Sequence, residues 1–510
     1  MALRPERVPP VPLTAIAERS GGHLEPSDAD GVVTGATVDS RAVVVGDLFG
    51  ALPGYSTHGA TFAQAAADAG AAAILTDDTG ARIAAPTGLP VVVVDDPRHA
   101  LGLASAAVYG DPSHALTLVG VTGTNGKTTT TYFIDAALRR AHRATGLLGT
   151  IEMRIGAQSA PAVRTTVEAP VFQALLARMV EQGVGAATAE VSSHALALGR
   201  VAGTRFAVAV FTNLQWDHLD FHPTMEDYFQ AKASLFTPEL SERGVVCVDD
   251  EWGARLGNEA AVPVVRVATR PEASDADWTV RGVRLADDGI GSVFELAGPE
   301  GAVLEASSPL PAHINVSNAA VAIVAAISAG VPAEDAVAGV AAAPHVPGRM
   351  QRVLDRDADS PLAIVDYAHT PDALERVLIG ARSVTPGRII SVFGAGGDRD
   401  TAKRPGFGSV AATLADVVIV TDDNPRSEDP ASIRKAILAG VKDARPGMRD
   451  VHEIAPRDVA IREALAMAAP EDTIVLSGKG HEDYQEIDGV KHHFSDPEQL
   501  RAALAESRER

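Results

Sequence analysis

Short apolar runs that alternate with helical stretches leave this 510-residue chain few folds to choose from. The segments 116–121, 186–192, 206–214, 362–368, 388–395, 416–422 and 472–478 each read as a buried strand. Helical patterns lie between them, at 170–183, 225–236, 372–382 and 432–442. Strands that are apolar throughout are covered on both faces, and strand–helix alternation joins them in parallel. The predicted class is α/β, with doubly wound parallel sheets that bind ligands beyond the carboxyl ends of their strands.

The length exceeds one core. Three domains are expected: a small N-terminal α/β domain at 1–97, a central P-loop mononucleotide-binding parallel-sheet domain at 98–345, and a C-terminal Rossmann-like domain at 346–510. In the first, 32–52 reads as strand, polar turn and strand, 61–75 as helix then strand, and 91–94 as a further strand. Asp96-Pro97 marks its end, and the proline-rich residues 1–12 are expected to be loose. Asp39 and His58 read as turn chemistry.

A net charge of −22 disfavours nucleic acid and anionic membrane as partners, so any anionic substrate must be met by a local basic cluster. No apolar run approaches a membrane span, and the start lacks the apolar core of a secretory signal. Cys247 stands alone, which excludes an internal disulfide and a cysteine metal cluster. A reduced, cytoplasmic setting fits these features.

One junction carries explicit chemistry. The strand ending at Val121 breaks into Thr122-Gly123-Thr124-Asn125-Gly126-Lys127-Thr128-Thr129, and a helical pattern follows. Glycines let successive backbone N–H groups curl around one anion, and the helix N-terminus adds partial positive charge. Lys127 is placed for the outer phosphates of a nucleotide, and the Thr128 hydroxyl for Mg²⁺. The general phosphate-loop pattern wants glycine at 121, where this chain has Val121. A plain strand–helix turn would explain the glycines but neither Lys127 nor Thr128.

Two further strand ends are polar. Glu190, in Ala189-Glu190-Val191-Ser192-Ser193-His194, is a candidate Mg²⁺ carboxylate, with helix capping as the alternative. His218, in Asn213-Leu214-Gln215-Trp216-Asp217-His218, is a second candidate ligand if Glu190 keeps it company, and a structural histidine otherwise. Lys232, mid-helix, reads from its neighbours as a surface lysine. In the last third, Arg399, Arg426 and Glu482 lie in three strand-end loops. Guanidinium groups bind carboxylates in bidentate fashion and Glu482 suits an ammonium, so the pocket matches a zwitterionic amino acid, with surface salt bridging as the alternative.

The runs GTNGKTT, AEVSSHAL, FTNLQWDHLDFH, HINVSNAAVA, PGRMQ, VDYAHTPDAL, GGDRDTAKRP, DNPR and GKGHEDYQ follow one another from 123 to 485. In that order they resemble the Mur ligase family, which builds the peptide stem of bacterial peptidoglycan. Asp423-Asn424-Pro425-Arg426 is similar to the branch that adds meso-diaminopimelate to UDP-N-acetylmuramoyl-L-alanyl-D-glutamate, whereas lysine-adding members lack the arginine. The resemblance implies an ATP- and Mg²⁺-dependent ligase, expected as a monomer with neither nucleic acid nor membrane as partner, whose domains close around the substrates.

It also implies site residues. Ser40, Tyr55, Ser56 and Thr57, with Thr165, Thr166, Ser192 and Arg200, match contacts to the UDP-muramoyl dipeptide. Lys127, Glu190, His218 and Lys232 match the catalytic set, with Lys232 carbamylated and Thr128, Glu190, His218 and Lys232 around the metal. Gly123 to Thr129, Asn315, Arg349 and Asp366 match ATP contacts. Arg399, Asp423, Asn424, Pro425, Arg426, Gly478 and Glu482 match the diaminopimelate site. Leu198 replaces a substrate-contacting glutamine of some members, and TTVEAP replaces the commoner TTPEA. The rivals are a lysine-adding ligase, a folylpolyglutamate synthetase-like ligase, and a non-catalytic P-loop module. The last would need neither Glu190, His218 and Lys232 together nor the C-terminal pocket.

Overall fold

A computed structural model of the chain describes residues 4–54, 56–218, 221–273 and 275–509. It forms two compact units: Met1–Gly282 with Glu295–Ala306 and Ser317–Ala343, and Val283–Phe294 with Ser307–Val316 and Pro344–Arg510.

Among the described residues the first unit contains a five-stranded sheet and the parallel centre of an eleven-stranded one, besides a two-stranded pairing near the start. The five-stranded sheet runs in the order His23–Glu25, Val91–Val93, Ala73–Thr76, Asp47–Gly50, Gly35–Thr37, parallel except for its first strand. Helix Pro97–Val108 begins on Asp96, whose carboxylate accepts from the N–H groups of Arg98 and His99. Its Ala100, Leu101, Ala104 and Val108 pack into the same core as Leu48, Leu75 and Val92. Within the proline-rich start, residues 4–12 are not loose, and residues 1–3 lie outside the described residues. Arg4 pairs with Asp47 at 2.6 Å, the Glu6 N–H donates to Glu181 at 2.9 Å, and Val11–Pro12 pairs with Val32–Val33. Prolines lack one donor each, but a short edge pairing and charged side chains still hold the segment.

The larger sheet has eleven strands. Its parallel centre is Thr145–Leu148, Ala186–Glu190, Thr117–Thr122, Val208–Phe211, Gly244–Cys247 and Val264–Ala268. Register sets the site: Glu190 lies opposite Val121 and Phe211 opposite Thr122. Three chain segments therefore leave the sheet together at one carboxyl edge. Phe172, Leu175, Leu176 and Met179 of helix Ala169–Glu181 bury its apolar stripe in this core beside Phe206 and Phe211.

In the second unit a six-stranded sheet runs Gln351–Leu354, Leu362–Asp366, Thr473–Ser477, Ile389–Phe393, Val417–Val420, Val451–Glu453. All but the first strand are parallel. Leu374, Leu378, Phe407, Ile433 and Ile437 cover one face, and Ala460, Ile461, Leu465 and Leu500 the other, so the sheet is doubly wound. Asp366 pairs across to Ser477, Ser477 to Phe393 and Phe393 to Val420, which again aligns the carboxyl ends. No helix among the described residues is long and apolar enough to cross a membrane.

Candidate active site

The phosphate loop lies between strand Thr117–Thr122 and helix Lys127–Ala141. Two of its glycines are required. Gly123 and Gly126 have φ of +145° and +87°; a Cβ would come within 2.0 Å of Thr212 Oγ1 at the first and 2.3 Å of Asn318 Oδ1 at the second. Lys127 Nζ donates to the carbonyls of Gly123 and Thr124, each at 2.9 Å, so the ammonium is folded over the loop that would hold the anion. Thr129 is buried in the first helical turn.

The loop is braced by the segment after the next strand. Thr212 Oγ1 and Asn213 Nδ2 donate to the Asn125 carbonyl, at 2.6 and 3.0 Å, and the Asn125 N–H donates to Asn213 Oδ1 at 3.0 Å. The Gln215 N–H donates to Thr124 Oγ1 and Asn125 Nδ2 to Gln215 Oε1, both at 2.9 Å. These partners were not singled out from sequence; only the register at Phe211–Thr122 reveals them. Asn318 was likewise missed. It accepts from Thr130 Oγ1 at 3.3 Å, whereas the expected Asn315 donates to the Pro311 carbonyl at 2.7 Å in the second unit.

Glu190 is buried and its carboxylate gathers three donors: Thr128 Oγ1 at 3.0 Å, the Thr150 N–H at 2.8 Å and Thr150 Oγ1 at 3.0 Å. It caps no helix; Ser192 performs that task, accepting from the Ala195 N–H. A polar chain runs on from here. Thr150 Oγ1 meets Thr165 at 3.1 Å, and Thr166 Oγ1 donates to the Glu190 carbonyl at 2.8 Å and accepts from the Ser192 N–H at 3.1 Å. Arg200 Nη1 donates to the Thr166 carbonyl at 3.2 Å and pairs with Glu168 at 2.9 Å. Burial pushes the Arg200 guanidinium below its usual range, with the Glu168 charge opposing.

Glu168 lines a cavity of about 930 Å³ together with Ser40, Arg41, Phe62, Arg98, Met153 and Arg164. Ser56 and Thr57 are exposed outside this lining, and Tyr55 lies outside the described residues. Asp39 accepts from the Arg41 N–H at 3.0 Å, and His58 caps the following turn through the Ala60 N–H while facing Asp77 at 3.2 Å. Both perform the turn chemistry expected of them.

Lys232 is not a surface lysine. It is 1% exposed, its Nζ donates to the Gly123 carbonyl at 2.8 Å, and it lies 4.5 Å from the Tyr228 ring centroid. Burial first, and the neighbouring Lys127 charge second, hold its pKa well below the ordinary lysine value. Sequence neighbours could not show this, because the burying atoms belong to the phosphate loop. Tyr228 Oη is hydrogen-bonded to Thr124 Oγ1 at 3.1 Å, tying the lysine helix to the loop.

His218 has φ +54° and lies with its ring 4.9 Å from that of His194, beside Tyr228; burial lowers its pKa. Among the described residues no group of three or more His, Cys, Asp or Glu side chains is placed to hold a metal, so Glu190 and His218 do not form a ready cage. The donor set still suits Mg²⁺: Thr128 and Glu190 offer hard oxygens 3.0 Å apart, and Mg²⁺ characteristically takes one or two carboxylates, substrate phosphates and water.

The second unit carries its own constellation. Asn424 Nδ2 donates to Glu482 at 2.8 Å; Lys479, wholly buried, donates to Asn424 Oδ1 at 3.2 Å. Arg426, at φ +52°, donates to the Gly397 carbonyl at 2.6 Å and pairs with Glu486 at 3.3 Å. Both Arg426 and Arg399 flank Gly396, whose Cβ position lies 3.0 Å from the one and 3.8 Å from the other. Pro425 is buried, and Gly478, at φ +115°, opens the loop facing Asp423. Burial raises the Glu482 carboxyl above the usual carboxylate range. Asp366 is also raised by burial although it accepts from the Met350 and Ala368 N–H groups at 2.7 and 2.8 Å, and Arg349 stacks on Tyr367 at 4.9 Å.

Comparison with known proteins identifies three family models along the chain. Residues 32–109 match the Mur ligase family catalytic domain, 121–326 the Mur ligase middle domain and 348–480 the Mur ligase glutamate ligase domain. A Streptomyces coelicolor protein named UDP-N-acetylmuramoyl-L-alanyl-D-glutamate--2,6-diaminopimelate ligase is 49% identical over 98% of each chain. A Corynebacterium glutamicum protein of the same name is 48% identical over 92% of this chain and 91% of its own. A solved structure of a ligase of that name, 33% identical, superposes with a TM-score of 0.69 over 98% of this chain and 100% of the other.

Proposed function

This chain belongs to the Mur ligase family, and from that premise we propose how its residues perform the reaction. It is an ATP-dependent ligase that joins meso-diaminopimelate to the D-glutamyl γ-carboxylate of UDP-N-acetylmuramoyl-L-alanyl-D-glutamate. The observation that carries the reading is the polar chain from the phosphate loop through Glu190 and Thr166 to Arg200 and the 930 Å³ cavity. It provides one continuous surface for a phosphate donor and a bulky anionic acceptor. The domains are proposed as 1–97 for the UDP-linked substrate, 98–345 for ATP and 346–510 for the amino acid. The three family models match in the same order, at 32–109, 121–326 and 348–480, the first of them extending past residue 97.

A carboxylate resists amines because its oxyanion is a poor leaving group. The acceptor carboxylate attacks the γ-phosphorus, ADP departs, and the resulting acyl phosphate is attacked by a neutral amine with loss of phosphate. Both partners in the first step are anionic, so catalysis is mainly alignment and charge neutralisation. Lys127 would leave the Gly123 and Thr124 carbonyls for the outer phosphates. Mg²⁺, held by Thr128 and Glu190, would screen the charge between the reactants. A buried Lys232 with a lowered pKa reacts as the free amine with carbon dioxide, forming an N–C bond and releasing a proton, and the resulting carbamate would place an anion beside the loop. In the second unit Arg399 and Arg426 would take a carboxylate, and Asp423 and Glu482 an ammonium. The reaction is proposed for the cytoplasm, where ATP and nucleotide-linked precursors are available.

The test is phosphate release from ATP and Mg²⁺ with the muramoyl dipeptide and either diaminopimelate or lysine. Release that depends on diaminopimelate is expected. Release independent of any amino acid, or a preference for lysine, overturns the reading.

A further inference from the structure

Lys479 has no place in the roles assigned so far, yet it is the buried centre of the amino-acid pocket. Its side chain is 0% exposed. It donates to Asn424 Oδ1 at 3.2 Å, and its Nζ lies 3.8 Å from Asp423 Oδ1 and 3.6 Å from Glu482 Oε2. The same Glu482 oxygen accepts from Asn424 Nδ2 at 2.8 Å. One ammonium thus stands against both loops of the pocket, the one after strand Val417–Val420 and the one after strand Thr473–Ser477.

A second observation points to a ligand. Asp423 is 8% exposed, and its Oδ1 is a buried acceptor with no hydrogen-bond partner. Lys479 approaches that oxygen but stays beyond hydrogen-bond range, leaving the lone pairs for another donor. Two carboxylates and one internal cation give this corner a net charge of −1, which a single ammonium neutralises. Without Lys479 it would carry −2. Burial lowers the Lys479 pKa and the Arg457 charge adds to this, while the Asp423, Glu482 and Asp496 charges oppose it.

We infer that Lys479 is a specificity-determining positioning residue: it fixes Asn424 and Glu482 and sets the pocket charge so that a net-neutral diamino acid is preferred over a cationic one. This deepens the proposed reaction and rests on it. Diaminopimelate is lysine with one more carboxylate, so the two differ by one unit of charge. A pocket made more negative favours lysine, and a unit charge at this range in a partly solvated site is worth about tenfold or more.

The experiment compares kcat/KM for diaminopimelate and for lysine in the full-length parent, Lys479→Met and Lys479→Arg. In Lys479→Met the diaminopimelate-to-lysine ratio is expected to fall about tenfold or more, while the KM for ATP holds. An unchanged ratio, with both amino acids losing equally, means a packing role and overturns the inference. If Lys479→Met does not fold or turns over neither amino acid, Lys479→Arg decides. It keeps the charge, so a preserved ratio supports the inference and a collapsed ratio overturns it. A parent enzyme that releases phosphate without diaminopimelate would instead sink the reaction itself, so the two failures are distinguishable.

Discussion

Removing Arg457 should unfold the second unit well before the first. The guanidinium and the Asp496 carboxylate form a bidentate pair at 2.8 and 2.6 Å, and both side chains are 0% exposed. Arg457 also donates to the Ser477 carbonyl at 3.1 Å and reaches the Asp422 carbonyl at 3.4 Å, so it joins the two strand ends that lead into the proposed amino-acid pocket. Arg457→Met keeps the apolar bulk but strands a buried carboxylate, a change that costs about 3–5 kcal/mol. For a unit of this size that is a fall in Tm of roughly 6–20 °C. All three tryptophans, Trp216, Trp252 and Trp278, lie in the first unit. Tryptophan fluorescence therefore follows that unit alone, whereas far-UV circular dichroism follows both. The dichroism transition should split, its early phase moving down while the fluorescence midpoint stays at the parent value. Arg457→Met with Asp496→Leu should regain most of the loss, because no charge is then left buried. A single variant whose dichroism midpoint matches the parent, or a double variant less stable than the single, would refute the reasoning.

Four further outcomes can be checked. Burial pushes the His481 pKa down to about 4, so between about pH 6.5 and 4 the unfolded imidazole binds a proton that the folded one does not, and stability falls as pH drops through that window. Discounted for partial exposure, the loss is about 2 kcal/mol, and His481→Phe should flatten the urea midpoint measured between pH 7 and 5. Gly126→Ala puts a methyl 2.3 Å from Asn318 Oδ1 at a positive φ, so calorimetry should show ATP binding lost with the dichroism spectrum retained. Lys232→Ala should lose most activity and recover part of it with added short-chain carboxylates; full activity without rescue would exclude the carbamate. Arg426→Ala should raise the KM for diaminopimelate by about 10- to 150-fold, the worth of a charge-assisted contact of about 1.5–3 kcal/mol, with the KM for ATP unchanged.

Local pattern carried much of this molecule. Apolar runs and helical periods located the central strands of the two large sheets and seven of the helices to within a few residues, because burial on both faces of a parallel sheet selects the same residue types wherever it occurs; helices such as Ala333–Ala341, Arg404–Leu414 and Arg457–Met467 were not picked out. The phosphate loop was legible for the same reason: its glycines, lysine and threonine act through backbone shape and chain proximity. The order of motifs then indicated the family. Side chains whose meaning depends on distant partners were not legible. Lys232 read as exposed because the Gly123 carbonyl that covers it is 109 residues away, and Asn213, Gln215 and Asn318 reach the loop only through strand register and helix packing. The proline-rich start read as loose because Asp47 and Glu181, its anchors, are remote in sequence. Composition and spacing record what each residue can do, but the field and the contacts that set a buried charge come from atoms brought in by tertiary structure. Only the fold, therefore, decided that Lys232 is buried against the loop and Lys479 sits between two carboxylates.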